Sequence, residues 1–359
     1  MDNVITIAAA PAPKKERMLS IDFMRIFSCI CIIMLHESGH LVWGSNYSLL
    51  IQAIVRPSLW SFAMISGYFV LNRPIKSIRK FYLKNTVHII IPLFIYSVFY
   101  QLYASIDSIV DLRSALNAIS LKAILAGDIY GHFWFVYTLV GMYLAAPFLQ
   151  ILLNKLTKDR LLGLLAICFF FTAIVPILTQ LGLGIGFEFP LAGTMLFFFL
   201  LGYALKQFDL NRYRIPIFIL GIINIPLICF TALNPHLAPS MFNCSINMLI
   251  GVIFYFTLFS QFRFQAPRWL SKITLFVSKR TYGIYLIHIM VMQVLANNYF
   301  TYTPANKFYL PIFLTLLNFV ISFLIATVVD LLLVTPILWI YDKILALLGK
   351  VVNRMLPAE

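Results

Sequence analysis

Ten stretches of this chain are apolar almost without interruption, at about residues 21–43, 49–71, 86–104, 132–153, 161–182, 189–205, 215–233, 246–262, 281–297 and 309–333. A helix needs roughly 20 apolar residues to cross the hydrocarbon core of a bilayer, and there only closed hydrogen-bonding structures are stable. Apolar residues follow one another in these runs instead of alternating with polar ones, which excludes membrane β-strands. Composition agrees, since 61% of residues are hydrophobic and 11% charged, against about a quarter charged in soluble domains. The expected fold is therefore all-α, a polytopic transmembrane bundle of about ten spans over residues 20–340. A disordered tail is expected at 1–19, with Ala and Pro at 8–13, and a C-terminal tail at 341–359. The last run continues through Pro336 and leaves room for an eleventh, interfacial helix at 336–352, with Lys343 and Lys350 on its polar side. Lys14, Lys15 and Arg17 ahead of the first run look superficially like a signal peptide. That run carries Arg25 and His36, so it reads as a retained helix. Any chemistry is expected in or beside the membrane, with no second soluble domain.

Charge orients the bundle. The chain has 27 Lys+Arg against 13 Asp+Glu, a net +14, which in a soluble protein would point to nucleic acid. With the N-terminus inside, 22 of the basic residues fall in the inside segments and three, Arg113, Lys122 and Lys307, in the outside ones; Arg25 and Arg56 lie within helices. That asymmetry supports an N-in, C-in arrangement and leaves no call for a nucleic-acid partner. The cysteines, Cys29, Cys31, Cys168, Cys229 and Cys244, form no CxxC pair and read as small apolar packers.

Ionisable residues inside spans cost about 2.5–3.5 kcal/mol each on insertion scales, and they mark candidate sites. The first span holds Asp22, Arg25, His36, Glu37 and His40. Asp22 and Arg25 are spaced for an i,i+3 pair. Arg25 and His36, eleven residues apart, lie on one helix face about 16 Å apart along the axis, so one helix carries a cation near the inside and an imidazole deep in the span. His40 continues that face, and Glu37 lies about 100° round from His36, towards another helix or an acceptor. Without a function, Arg25 would snorkel to headgroups and His36 would bond a neighbouring helix. His36-Glu37-Ser38-Gly39-His40 also spells H-E-x-x-H, the zinc protease signature. Asp330 is the one deep late-span Asp available as a third ligand, and no glycine stands beside it.

Asp22-x-x-Arg25 followed by ten residues and His36 resembles the D-x-x-R-x10-H pattern of the acyltransferase-3 family, bacterial multispanning enzymes that move acyl groups onto surface glycans. Further segments resemble that family in order. They are Ala63-Met64-Ile65-Ser66-Gly67-Tyr68, Phe81-Tyr82-Leu83-Lys84 through Ile91-Pro92-Leu93, Gly131-His132-Phe133-Trp134-Phe135 through Pro147, and Thr281-Tyr282-Gly283-Ile284-Tyr285-Leu286-Ile287-His288. The similarity runs from about residue 20 to 340. Where the family's third helix usually opens with several arginines, this chain reads Lys84-Asn85-Thr86-Val87-His88, with Arg79 and Lys80 upstream.

The resemblance implies an O-acyltransferase of the bacterial cytoplasmic membrane that uses acetyl-CoA as co-substrate, with no bound cofactor and no metal. Its partners would be membrane lipid, acyl-CoA and a glycan or lipid-linked oligosaccharide. It implies His36 as the base, with Arg25 and Asp22 beside it in the catalytic motif, and a phosphate site from Arg25, Arg79, Lys80 and Lys84. Acceptor or oxyanion candidates are Glu37, His40, Arg56, Ser66, His132, Trp134, Tyr285 and His288. Of these, His132 is expected at the outside surface as a glycan contact or a polar helix start, and His288 as a buried hydrogen-bonding group. The outside loop at 105–131 is a candidate acceptor-side cap. Two other classes stay open, an intramembrane zinc protease using His36 and His40, and a transporter or flippase of lipid-linked glycans.

Overall fold

The computed structural model describes residues 19–41, 45–189, 193–208, 210–234, 245–261, 266–300, 303 and 308–355. Of the tail expected at 1–19, residues 1–18 lie outside them, as do Cys244, Arg263 and Lys307, and Leu19 opens the first helix. The described residues form helices and no strand. In chain order these are α1 (Leu19–Leu41), α2 (Asn46–Val55), α3 (Pro57–Val70), α4 (Ile78–Phe81), α5 (Val87–Ala104), α6 (Leu112–Asn117), α7 (Leu121–Ala126), α8 (Trp134–Leu153) and α9 (Lys158–Phe169). There follow α10 (Val175–Gln180), α11 (Thr194–Gln207), α12 (Arg214–Leu233), α13 (Ile246–Gln261), α14 (Arg268–Ser278), α15 (Thr281–Asn298), α16 (Leu310–Val329) and α17 (Thr335–Met355).

Seven helical stretches among the described residues are long and apolar enough to cross a membrane. Three shorter apolar helices, Thr194–Gln207, Ile246–Ser260 and Thr281–Ala296, occupy the sixth, eighth and ninth apolar runs. The chain is thus a multi-pass membrane bundle. Its core is built from α1, α3, α11, α13, α15 and α16, and the broad apolar exposure of α12 and α16 is the face that lipid covers.

Several runs read as continuous are jointed, for local reasons. The second span breaks between α2 and α3 at Arg56-Pro57, because proline at the first helical position has no N–H for the preceding turn. The third, fifth and last stretches each contain one wide turn, at Tyr82–Thr86, Phe170–Ile174 and Asp330–Val334. The interfacial helix expected at 336–352 is not a separate element. It continues the last span through the Asp330–Val334 turn as α17, and it is held to the start of the third span by Tyr341 Oη donating to the Leu83 carbonyl at 2.9 Å. The loop at 105–131 folds into α6, capped by Asp111, and α7, capped by Ser120.

α3 and α11 pack closely along their length. Gly67 of α3 and Gly202 of α11 face each other's backbone there: a Cβ on Gly67 would run into the Phe199 carbonyl, and one on Gly202 into that of Met64. Small residues let membrane helices approach this closely.

Candidate active site

The two ends of α1 open into two different cavities. At the end carrying the basic segments, Asp22 and Arg25 line a cavity of about 1150 Å³. Arg25 sits 5.5 Å from the centre of the Phe69 ring, which Arg73 also approaches at 5.3 Å. Arg25 Nη1 reaches Asp22 Oδ1 at 3.4 Å, and Ser278 Oγ donates to the same oxygen at 2.7 Å. Asp22 is buried, so this carboxylate braces α1 against the end of α14 and aims Arg25 at the cavity. Lys80 and Lys84 line the same wall, and so do Arg73, Lys76 and Lys206, three cations that the sequence marked only as inside charges. Arg79, expected beside Lys80 and Lys84, is exposed and not among the lining residues, so the structure does not bring it together with them. A cavity with six cations and one acid, itself bonded to Arg25, suits a polyanion.

At the far end, His36 and His40 line a chamber of about 520 Å³ with Gln52, Arg56, Trp60, His132, Trp134 and Tyr285. Two of its lining imidazoles, His36 and His132, pack against a third, His288, which is fully buried behind them. The His36 and His288 rings lie 5.3 Å apart, and His288 and His132 5.2 Å apart. His288 Nδ1 donates to the Tyr285 carbonyl at 2.6 Å, and Tyr285 Oη donates to the His132 carbonyl at 2.6 Å. His132 Nε2 donates to the Leu286 carbonyl at 3.3 Å. The entry to α8 is thereby sewn to α15. His132 is buried, not a surface residue as its position ahead of an apolar run suggested, because Tyr100, Tyr130 and Phe133 close over it.

Arg56 is buried as well. Its Nη2 donates to Gln52 Oε1 at 2.8 Å, Gln52 Nε2 to Ser48 Oγ at 2.9 Å, and Ser48 Oγ to the Ser38 carbonyl on α1 at 3.0 Å. This ladder holds a guanidinium in the chamber and ties α2 to α1 two residues beyond His36. Trp60 and Trp134 wall the chamber with ring centres 6.1 Å apart, and Trp134 is 46% exposed, open to a ring stacked on it.

Two expected residues are elsewhere. Ser66 is not among the residues lining the chamber; it neighbours Tyr143, a wall of the basic cavity. Glu37 has no exposure and is bonded to Asn318 on α16, so of its two expected directions it takes the one towards another helix. The same bond counts against the zinc protease reading. Glu37 does not face the chamber that His36 and His40 line, and Asp330 lies near Gly283 and Tyr96 instead. No group of three His, Cys, Asp or Glu among the described residues is placed to hold a metal ion.

The decisive comparison is a family model described as an acyltransferase domain, which matches residues 18–334. The chain belongs to the acyltransferase-3 family. The match takes in both cavities and every helix from α1 to α16, so the acyltransferase is the whole bundle and not an appendage to it. No curated protein and no solved structure matches the chain. It is a membrane acyltransferase.

Proposed function

We propose that this acyltransferase moves an acyl group, acetyl from acetyl-CoA, onto a hydroxyl of a cell-surface or lipid-linked glycan, in the cytoplasmic membrane of a bacterium with both termini inside. One observation carries the reading: α1 presents Arg25 to a polycationic cavity at one end and His36 to an aromatic, imidazole-lined chamber at the other. The donor is a cytoplasmic polyanion and the acceptor is on the far side or on a lipid carrier, so a membrane enzyme needs a site of each kind.

The donor's phosphates would rest among Arg25, Arg73, Lys76, Lys80, Lys84 and Lys206, with its arm directed along α1 towards His36. The roughly 16 Å between Arg25 and His36 is of the order of that arm's extended length. In the chamber, a glycan ring would stack on Trp134 and bring one hydroxyl to His36. The hydroxyl oxygen attacks the thioester carbonyl carbon as its proton passes to His36. The carbon–sulfur bond then breaks, and the departing thiolate takes that proton. General-base help of this kind contributes about 10²- to 10⁴-fold. Arg56 and the Trp134 indole N–H are the donors suited to the oxyanion, because they line the chamber and Tyr285 Oη is already committed to His132.

The test is transfer of labelled acetyl from acetyl-CoA into the glycan fraction of membranes carrying the protein, wild type beside His36→Ala. Label is expected with wild type and not with the variant at equal protein level. Undiminished transfer by His36→Ala would remove His36 as the base, and absence of label from both would remove the donor or the acceptor class.

A further inference from the structure

Asn318 on α16 joins the two helices that carry the paired imidazoles of His36 and His288. Its side-chain amide has two hydrogens, and they go to different helices: Nδ2 donates to Glu37 Oε1 on α1 at 2.7 Å and to the His288 backbone carbonyl on α15 at 3.0 Å. The orientation of the amide follows from chemistry. A backbone carbonyl only accepts, so the group facing His288 is the NH₂. The other end, Oδ1, accepts from Ser322 Oγ one turn along α16 at 2.8 Å. Glu37, His288, Asn318 and Ser322 all have zero exposure, and in a membrane interior no water competes for such bonds.

Glu37 directly follows His36, and the His36 ring lies 5.3 Å from that of His288. One amide therefore ties the Glu37 side chain of α1 to the His288 backbone of α15, and these two helices carry the paired rings. His288 Nδ1 is committed to the Tyr285 carbonyl, which leaves Nε2 as a buried lone pair with no partner among the described residues. The His36 ring packs against this buried imidazole, so the placing of His288 bears directly on the placing of His36.

We propose that Asn318 is a positioning residue: bonded to Glu37 and to the His288 backbone, it sets His36 against His288 so that His36 meets the acceptor hydroxyl in one orientation. This rests on the reading of His36 as the base. It assigns Glu37 a part that involves neither metal nor substrate. Glu37 supplies an acceptor oxygen, and its Oε2 has no partner among the described residues, so Glu37→Gln removes no bond.

The experiment uses membrane vesicles carrying the full-length protein, labelled acetyl-CoA at varied concentration and the endogenous glycan as acceptor. Asn318→Asp keeps the shape and loses both donors. It is expected to lower kcat about 10²-fold, the usual size for a displacement near 1 Å, with KM for acetyl-CoA within about threefold of wild type. Ser322→Ala frees the amide to turn without removing it, and is expected to lower kcat about threefold to tenfold. Combining Asn318→Asp with Glu37→Gln exchanges donor and acceptor between α16 and α1, and is expected to recover at least about tenfold over Asn318→Asp alone.

Wild-type kcat in both Asn318→Asp and Ser322→Ala overturns the proposal. So does a double variant, present at wild-type level, that is no faster than Asn318→Asp. If Asn318→Asp fails to accumulate, Ser322→Ala decides by itself, a wild-type kcat counting against and a lowered one for. His36→Ala run alongside separates the two readings: activity there removes the base, whereas an inactive His36→Ala with normal Asn318→Asp and Ser322→Ala removes only the positioning role.

Discussion

Adding one methyl group at Gly67 tests whether both cavities depend on a single helix crossing. A Cβ built there lies 2.7 Å from the Phe199 carbonyl carbon and 3.0 Å from its Cα. Ordinary carbon–carbon contact is about 3.5–4.0 Å, so Gly67→Ala has to part α3 from α11 by about 1 Å. The obstruction is backbone, and no side chain can swing aside to relieve it. Overpacking of this sort costs about 1–3 kcal/mol, and the buried residues around the crossing, Ala63, Met64, Phe198 and Phe199, lose contact together. α3 also carries Trp60 in the chamber and Tyr68 and Phe69 at the basic cavity, so turnover should fall by up to about 10²-fold as well.

The assay is thermal unfolding of detergent-solubilised protein followed by near-ultraviolet circular dichroism, with Gly163→Ala as the matched control. Gly163 lies on an exposed face of α9, and a Cβ there meets nothing within 4 Å. Alanine replaces glycine in a helix with a gain of about 0.5–1 kcal/mol. The two Gly→Ala changes should therefore shift the midpoint in opposite directions. A Gly67→Ala midpoint at or above wild type would refute the argument that backbone contact sets this crossing.

Two further outcomes follow from the cavities. Lys206→Ala should raise KM for acetyl-CoA about fivefold, the equivalent of about 1 kcal/mol, while leaving kcat near wild type, and the difference should shrink as salt rises. Trp134→Ala should raise the acceptor concentration needed for half-maximal transfer and lower kcat, leaving KM for acetyl-CoA near wild type because the ring is not part of the basic cavity; a KM for acetyl-CoA raised as much as the acceptor's would refute that division.

What the sequence shows and hides can be read from particular residues. Arg25 and His36 stand out because helical spacing and the cost of charge in a membrane both single them out, and the structure puts them at opposite ends of α1. Lys206 and Arg73 are equally visible as charges, but the inside bias explains any basic residue at a span end, so nothing separates a cavity wall from a topological marker. His132 misleads because a histidine just ahead of an apolar run looks like an interface residue. The tyrosines that bury it come from α5 and from the turn before α8, and that contact is made only by folding. Asn318 is hidden differently. An uncharged amide in a long apolar run raises no alarm, and its significance lies in two acceptors remote in sequence. Gly67 belongs to a motif that resembles the family, yet only the α11 backbone explains why a side chain is excluded.

The two-ended exposure of α1 carries one last consequence. A helix stitched by its own backbone hydrogen bonds barely stretches, so the axial distance from Arg25 to His36 works as a ruler. If the donor's anionic end rests at the first mark, as proposed, its reactive carbon would be metered by the length of the arm and not by the size of the group it carries. Donors with an arm shortened by a few bonds should bind and fail to react. Acyl chains of different length would instead be sorted by the room left in the chamber.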